Sequence, residues 1–133
     1  MAGTTVRETV TLAGRAERAR AARAFVSEVL GRGHPCRDVA VLLVSEIFSN
    51  SVRHSRSCAP GETVTVAVMA GDGLVRVEVI DRAGPGTPEL RPAGRDAEGG
   101  RGLHLVADLA ARWGWRRRRG GQLVTWIELS RPC

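Results

Sequence analysis

The sequence contains no lysine, and this absence excludes several kinds of lysine-dependent site before any motif is considered. All 20 basic residues of the 133-residue chain are arginine. A P-loop lysine on phosphate, a Schiff-base lysine and a lysine general base are therefore all excluded.

Long apolar runs and paired cysteines are also missing. No run approaches the ~20 apolar residues that span a bilayer, and the first ten residues lack the apolar core of a signal peptide, so a cytoplasmic location is expected. Cys36, Cys58 and Cys133 are odd in number, far apart and outside any C-x-x-C motif. We therefore expect reduced thiols. The three histidines show no ligand spacing typical of a zinc site.

The composition that remains is that of a folded domain with a basic surface. Hydrophobic residues make up 43% and charged residues 26% of the chain, which is close to the average for globular domains. We expect one compact domain over residues 1–133. The net charge of +6 and the pI of about 11.1 favour an anionic partner such as a nucleotide, a nucleic acid or an acidic protein.

Hydrophobic periodicity and turn residues predict the order β-α-α-β-β-loop-α-β-β. Because the helices lie between hairpins, this order favours the α+β class: a two-layer sandwich with a mixed, mostly antiparallel sheet and helices on one face. The long glycine- and proline-rich loop is the expected position of the functional site. The predicted strands are 5–12, 62–70, 74–81, 112–119 and 122–129, the helices 15–30, 37–54 and 103–111, and the loop 82–102.

The predicted helix 37–54 carries a polar stripe within an apolar surface. Glu46, Asn50 and His54 recur every four residues and so share one face. A carboxylate in an apolar setting needs a partner, which a functional site would supply. The alternative is a salt bridge from Glu46 to an arginine, with Asn50 facing the solvent.

Two glycine-rich segments follow, and each has a functional and a structural interpretation. Asp81 ends a strand just before Gly84 and Gly86, where a carboxylate could accept a hydrogen bond from an adenine amine. The alternative is an aspartate that caps a turn. Residues 98–102 directly precede a helix, so free backbone N–H groups could hold phosphate there. Arg101 could add a bidentate contact to phosphate oxygens, but a glycine cluster before a helix is by itself a weak signal.

Three motifs in this order are together specific: E-x-x-x-N-x-x-R-H on a helix, D-x-x-G-P-G after a strand, and G-G-R-G-L-H-L-V opening another helix. With them the chain resembles the GHKL-type ATPases, and among these the small stand-alone anti-sigma-factor serine kinases and their actinobacterial relatives. The resemblance covers residues from about 10 to about 129.

The resemblance implies ATP and Mg²⁺ as cofactors and a role for each motif residue. Glu46 resembles the general base that takes a proton from a serine or threonine hydroxyl of a partner protein. Asn50 resembles the magnesium ligand, and Arg53 lies where the family has a basic residue near phosphate. His54 resembles a neighbour with a packing role. Asp81 resembles the aspartate that recognises the adenine amine.

Further positions follow from the same resemblance. Gly84 and Gly86 would shape the adenine pocket. The residues expected at the phosphates are Gly100, Arg101, Gly102 and Leu103, with residues 87–98 as a lid. Either Val124 or Thr125 would lie beneath the adenine, and we assign Thr125. The chain departs from the family's D-x-G-x-G spacing by one extra residue after Asp81, which puts the adenine contact in question.

We therefore expect an ATP- and Mg²⁺-binding serine/threonine protein kinase of the partner-switching type. Its partners would be an anti-anti-sigma-like protein, which it phosphorylates, and a sigma factor or similar regulator; a homodimer stays open. One alternative is a catalytically silent, ATP-responsive binding module. Another is a nucleic-acid binder using Trp113, Trp115 and the arginines 116–119, although a solvated edge strand explains those arginines more simply.

Overall fold

The computed structural model describes residues 5–54, 61–82 and 100–133. These residues form one antiparallel sheet and a layer of helices. In chain order the elements are β1 (Val6–Ala13), a 3-10 turn (Ala16–Arg18), α1 (Ala19–Leu30), α2 (Arg37–His54), β2 (Thr63–Gly71), β3 (Leu74–Arg82), α3 (Gly100–Leu109), β4 (Arg112–Arg118) and β5 (Gln122–Ser130).

The five strands are arranged in the order β1-β2-β3-β5-β4. All four neighbouring pairs are antiparallel, so the α+β prediction is confirmed and the sheet expected to be mixed is antiparallel at each pairing. The β2–β3 turn fits the type I′ pattern, because Asp72 and Gly73 have φ values of 51° and 78°. These two strands therefore form the hairpin that the Asp-Gly dipeptide predicts.

One face of the sheet packs on the helices and forms the core. Alternate residues of β2 and β3 on this face are fully buried, together with Phe48 of α2. On the opposite face Arg76 lies 4.4 Å from the ring centroid of Trp126 and makes salt bridges of 2.8 Å to Glu78 and 2.6 Å to Glu128. The two-residue strand period thus separates an aliphatic face from a charged and aromatic one.

The helices differ from their predicted limits at two places. The segment predicted to start the first helix at residue 15 forms the 3-10 turn, and α1 begins at Ala19. The last helix begins at Gly100, three residues before its predicted start, so the loop predicted over 82–102 overlaps it. Within the described ranges no helix combines the length and the apolarity that crossing a membrane requires.

Strand β4 lies at the edge of the sheet beside β5. Its arginines 116–118 and the following Arg119 are exposed, which agrees with the prediction of a solvated edge strand. Trp113 packs against the core, whereas Trp115 is 38% exposed. Charge on an edge strand discourages pairing with other chains.

The expectation of reduced thiols is wrong for two of the three cysteines. Cys36 and Cys133 form a disulfide across a sequence separation of 97 residues, with 5.1 Å between their Cα atoms. Sequence spacing alone does not reveal this pair, because the fold brings the segment after β5 to the start of α2. Cys58 lies outside the described residues.

Candidate functional site

A buried polar pair joins α2 to the end of β3. The Ser51 hydroxyl donates a hydrogen bond to Oδ2 of Asp81, and these residues are 5% and 3% exposed. Burial raises the pKa of the Asp81 carboxyl to about 6, although the hydrogen bond from Ser51 lowers it. Asp81 is therefore ionised at pH 7.5 at a cost in stability.

Two side-chain oxygens, one on Asn50 and one on Asp81, are buried without a hydrogen-bond partner in the described part of the chain. Oδ1 of Asn50 and Oδ1 of Asp81 have no hydrogen bond to any residue that the structure describes. A buried polar atom left unpaired costs about 1–3 kcal/mol, so such atoms are rare unless a ligand or water meets them. Asn50 is 7% exposed, and the interpretation of Asn50 as solvent-facing is therefore wrong.

Glu46 lies one helical turn before Asn50, about 6 Å along the axis of α2. It is half-buried. No arginine in the described part of the chain forms a salt bridge with it. The structure thus gives no support to the simple salt bridge considered as the alternative for Glu46.

The register of β5 decides which of two neighbouring residues faces the helix layer. Thr125 pairs with Val79 and Leu123 pairs with Asp81, so Thr125 shares the sheet face of Asp81 and is 2% exposed. Val124 points to the opposite face. Of the two residues that the sequence left open beneath the ligand, Thr125 is on the face that carries Asp81.

The described part of the glycine-rich segment, residues 100–102, lies inside a helix and not before it. Gly100, Arg101, Gly102 and Leu103 form the first turn of the ten-residue α3. The first backbone N–H groups of a helix have no intrahelical acceptor and carry its positive dipole end. The position is suited to anionic oxygens, and α3 packs on α2.

Of the remaining predicted site residues, one is exposed, and the others lie outside the described part of the structure in full or by their side chain. Arg53 is exposed in the last turn of α2. Gly84, Gly86 and the proposed lid lie outside the described residues, as does the side chain of His54.

The sequence interpretation missed Ser51. A serine directly after Asn50 in a helix otherwise rich in buried apolar residues is a weak signal that a second polar side chain faces the sheet. Only the packing of α2 on β3 identifies Asp81 as its acceptor.

These features define a class of protein: an α+β fold with a buried aspartate at the end of one strand and a buried asparagine on the helix packed against it. A family model described as "Histidine kinase-like ATPase domain" matches residues 12–127. The chain therefore belongs to the histidine kinase-like ATPase family, as the motifs predicted. No curated protein sequence matches the chain.

Solved structures agree with this assignment. The RsbU and RsbW domains of Rv1364c from Mycobacterium tuberculosis match with a TM-score of 0.69 and 25% identity, over 96% of this chain and 34% of that one. This chain thus spans about a third of the structure it matches. The histidine kinase AdeS of Acinetobacter baumannii matches with a TM-score of 0.54 and 13% identity, over 95% of this chain and 68% of that one, which shows the fold.

Proposed function

We propose that this ATPase-family chain is an ATP- and Mg²⁺-dependent serine/threonine protein kinase of the anti-sigma, partner-switching type. The observation that supports the proposal is that one buried oxygen of Asn50 and one of Asp81 have no hydrogen-bond partner among the described residues. One is an amide oxygen suited to a hard cation, and the other is a carboxylate oxygen suited to an amine donor. A magnesium nucleotide offers both kinds of group.

Asp81 is the proposed adenine contact. Its Oδ2 already accepts the Ser51 hydroxyl, which leaves Oδ1 to accept a hydrogen bond from the exocyclic amine. The ionised carboxylate is the stronger acceptor. Thr125, buried on the same sheet face, is proposed to lie beneath the ring, with Gly84 and Gly86 completing the pocket.

Asn50 is the proposed magnesium ligand. Mg²⁺ commonly takes one or two protein oxygens and completes its shell with phosphate oxygens and water. When bound, it would neutralise phosphate charge. Arg53 and the start of α3 are proposed to face the phosphates, where the backbone of Gly100 and Gly102 and the guanidinium of Arg101 would donate hydrogen bonds, with Leu103 following them in the same turn.

Glu46 is the proposed general base. As the hydroxyl oxygen of an acceptor serine or threonine attacks the γ-phosphorus, the Glu46 carboxylate takes the hydroxyl proton. The bond from phosphorus to the bridging oxygen breaks, and ADP leaves with that electron pair. Because Glu46 makes no salt bridge to a described arginine, its carboxylate is available for this step.

The proposed partners are an anti-anti-sigma-like protein as phosphoryl acceptor and a sigma factor or similar regulator. The likeness to a structure that contains an RsbW domain supports this assignment. A cavity of about 360 Å³ between α1 and α2, lined by Arg20, Arg23 and Arg37 among others, offers a basic surface to an acidic protein. The proposed location is the cytoplasm.

Calorimetry with ATP and Mg²⁺ tests the binding step, and labelled ATP with the anti-anti-sigma-like proteins of the source genome tests the transfer. We expect Glu46→Gln to bind ATP normally and to transfer at least 100-fold more slowly, since general-base catalysis contributes about 10²–10⁴-fold. Glu28→Gln, an exposed change on α1, is the matched control.

Three outcomes would contradict parts of the proposal. Absence of ATP binding would end it. Binding without transfer to any acceptor would leave an ATP-responsive binding module. Transfer that survives Glu46→Gln would remove Glu46 as the base.

A further inference from the structure

The disulfide between Cys36 and Cys133 joins the two layers of the fold. Cys36 directly precedes α2, which carries Glu46 and Asn50, and Cys133 follows β5, which carries Thr125. The segment after β5 is held beside the α1–α2 connection, where the positive charge of Arg131 adds to the effect of burial in lowering the pKa of His34.

The disulfide and the candidate nucleotide site lie at opposite ends of α2. Arg37 and Asn50 are separated by 13 residues, about 20 Å along the helix axis. At the site end, the hydrogen bond from Ser51 to Asp81 holds the helix to β3 independently of the disulfide. We therefore expect the hydrogen bond between Ser51 and Asp81 to persist when the disulfide opens.

The two cysteines of the disulfide differ in exposure. Cys36 is fully buried within the hydrophobic core, whereas Cys133 lies in the exposed segment 131–133. Thiol–disulfide exchange requires a thiolate to reach one sulfur, and its rate depends on access to that sulfur. We therefore expect an external thiolate to reach Cys133 more readily than Cys36.

We propose that Cys36–Cys133 is a reversible thiol-exchange site that adjusts the stability of the protein without changing its nucleotide site. A small thiolate such as that of glutathione attacks the Cys133 sulfur, forming a mixed disulfide there. The bond to Cys36 breaks, and Cys36 leaves as a thiolate that takes up a proton. A second small thiolate attacks the small-molecule sulfur of the mixed disulfide and frees Cys133. Two small thiols are oxidised to one disulfide, and the protein disulfide is reduced.

The expected consequence is a large loss of thermal stability with little change at the ATP site. A cross-link over 97 residues restricts the unfolded chain strongly, so its reduction should lower Tm by roughly 10 °C or more. Buried Cys36 fits the core as a free thiol, because free cysteine behaves as a small apolar residue.

The order of attack is tested with glutathione disulfide on the full chain, with Cys58→Ser in every variant. Cys36→Ser leaves the Cys133 thiol, and Cys133→Ser leaves the Cys36 thiol. Both lack the disulfide, so they are matched, and circular dichroism at the assay temperature checks that each is folded. We expect mass spectrometry to show the adduct on Cys133 forming at least 10-fold faster. Smaller differences, or faster reaction at Cys36, would overturn the order.

The stability claim is tested by melting the Cys58→Ser protein before and after reduction, with the triple serine variant as control. Oxidised and reduced forms that melt within 2 °C of each other would overturn it, as would an equal shift in the control. Below both melting temperatures, ATP affinity should change less than threefold on reduction, and a larger change would overturn the separation of the two ends. This last readout rests on the proposed function. If neither form binds ATP, that function fails while the thiol-exchange result stands.

Discussion

The two ends of α2 differ in their surroundings: one is apolar and cross-linked, and the other carries buried polar side chains. At its start, Cys36 is covalently tied and Ala40 is buried against apolar neighbours. Toward its other end, Asn50 and Ser51 are buried, Ser51 is hydrogen-bonded to Asp81, and one oxygen each of Asn50 and Asp81 has no partner among the described residues. One end contributes stability and the other reduces it.

The free energies at the two ends of α2 are of similar size and opposite sign. Two unpaired buried atoms cost about 2–6 kcal/mol together. A cross-link that closes a loop of ~100 residues contributes about 4.7 kcal/mol in the chain-entropy model. The stabilisation from the disulfide is thus comparable in size to the cost of the two unpaired oxygens. The disulfide at one end of α2 can therefore offset the cost of the unpaired oxygens at the candidate site.

Asp81→Asn should give the largest effect, and it should change ATP affinity and stability in opposite directions. ATP affinity should fall about 50-fold, since a hydrogen bond to a charged group contributes about 1.5–3 kcal/mol. Stability at pH 7.5 should rise by about 2 kcal/mol, because the variant no longer ionises a buried carboxyl. Calorimetry and thermal melts measure the two effects. Exposed Asp108→Asn is the control, and a lower Tm for Asp81→Asn would contradict the account of the polar end.

Lowering the pH should also change ATP affinity and stability in opposite directions, without a mutation. The folded pKa of Asp81 is raised from 3.8 to about 6. The contribution of Asp81 to stability is therefore fully present below pH 3.8, falls between pH 3.8 and 6, and is lost above that range. ATP binding has the opposite dependence and should weaken about 10-fold from pH 7.5 to pH 5 as Asp81 takes up a proton.

The affinity ratio of wild type to Asp81→Asn at each pH isolates this titration, because protonation of the nucleotide phosphates affects both proteins. A ratio that stays constant across the pH range would contradict the assignment of the titration to Asp81.

Ser51→Ala should have a smaller effect on the polar end. The hydrogen bond from Ser51 lowers the pKa of Asp81, so its loss should move the pH of half-maximal ATP binding upward. Stability at pH 7.5 should fall by about 1–2 kcal/mol. Ser51→Thr keeps the hydroxyl and should restore both values. An unchanged midpoint in Ser51→Ala would mean that the hydroxyl does not influence the carboxyl.

Local patterns predict a large part of the fold. The limits of α2, Arg37–His54, follow from an apolar run that ends before a serine- and proline-containing break, and the β2–β3 hairpin follows from its Asp-Gly turn. The start of α3 at Gly100 does not follow. Glycine is a poor helix former, so propensity places the start at Leu103, whereas tertiary packing sustains helices that propensity alone disfavours.

The candidate site divides in the same way. Glu46, Asn50 and Asp81 are identified by residue type, spacing and family resemblance. Ser51 is not, because its role depends on a contact between segments distant in sequence. The same reason hides the Cys36–Cys133 disulfide, which lies outside the candidate site. The choice between Val124 and Thr125 also required the register of β5 against β3, since a shift of one residue reverses the face.

Arg37→Ala should give the smallest effect and completes the comparison of the two ends. Arg37 lies next to the disulfide, where it bonds Ser27 at 3.2 Å and Asp38 at 3.1 Å. The Asp38 side chain is 88% exposed, and exposed ion pairs contribute about 0–1 kcal/mol. We expect Tm to fall by no more than about 2 °C, with ATP affinity unchanged. Ser51→Ala and Arg37→Ala each remove polar contacts of one α2 side chain, so a larger loss for Arg37→Ala would show that burial does not set the difference between the two ends.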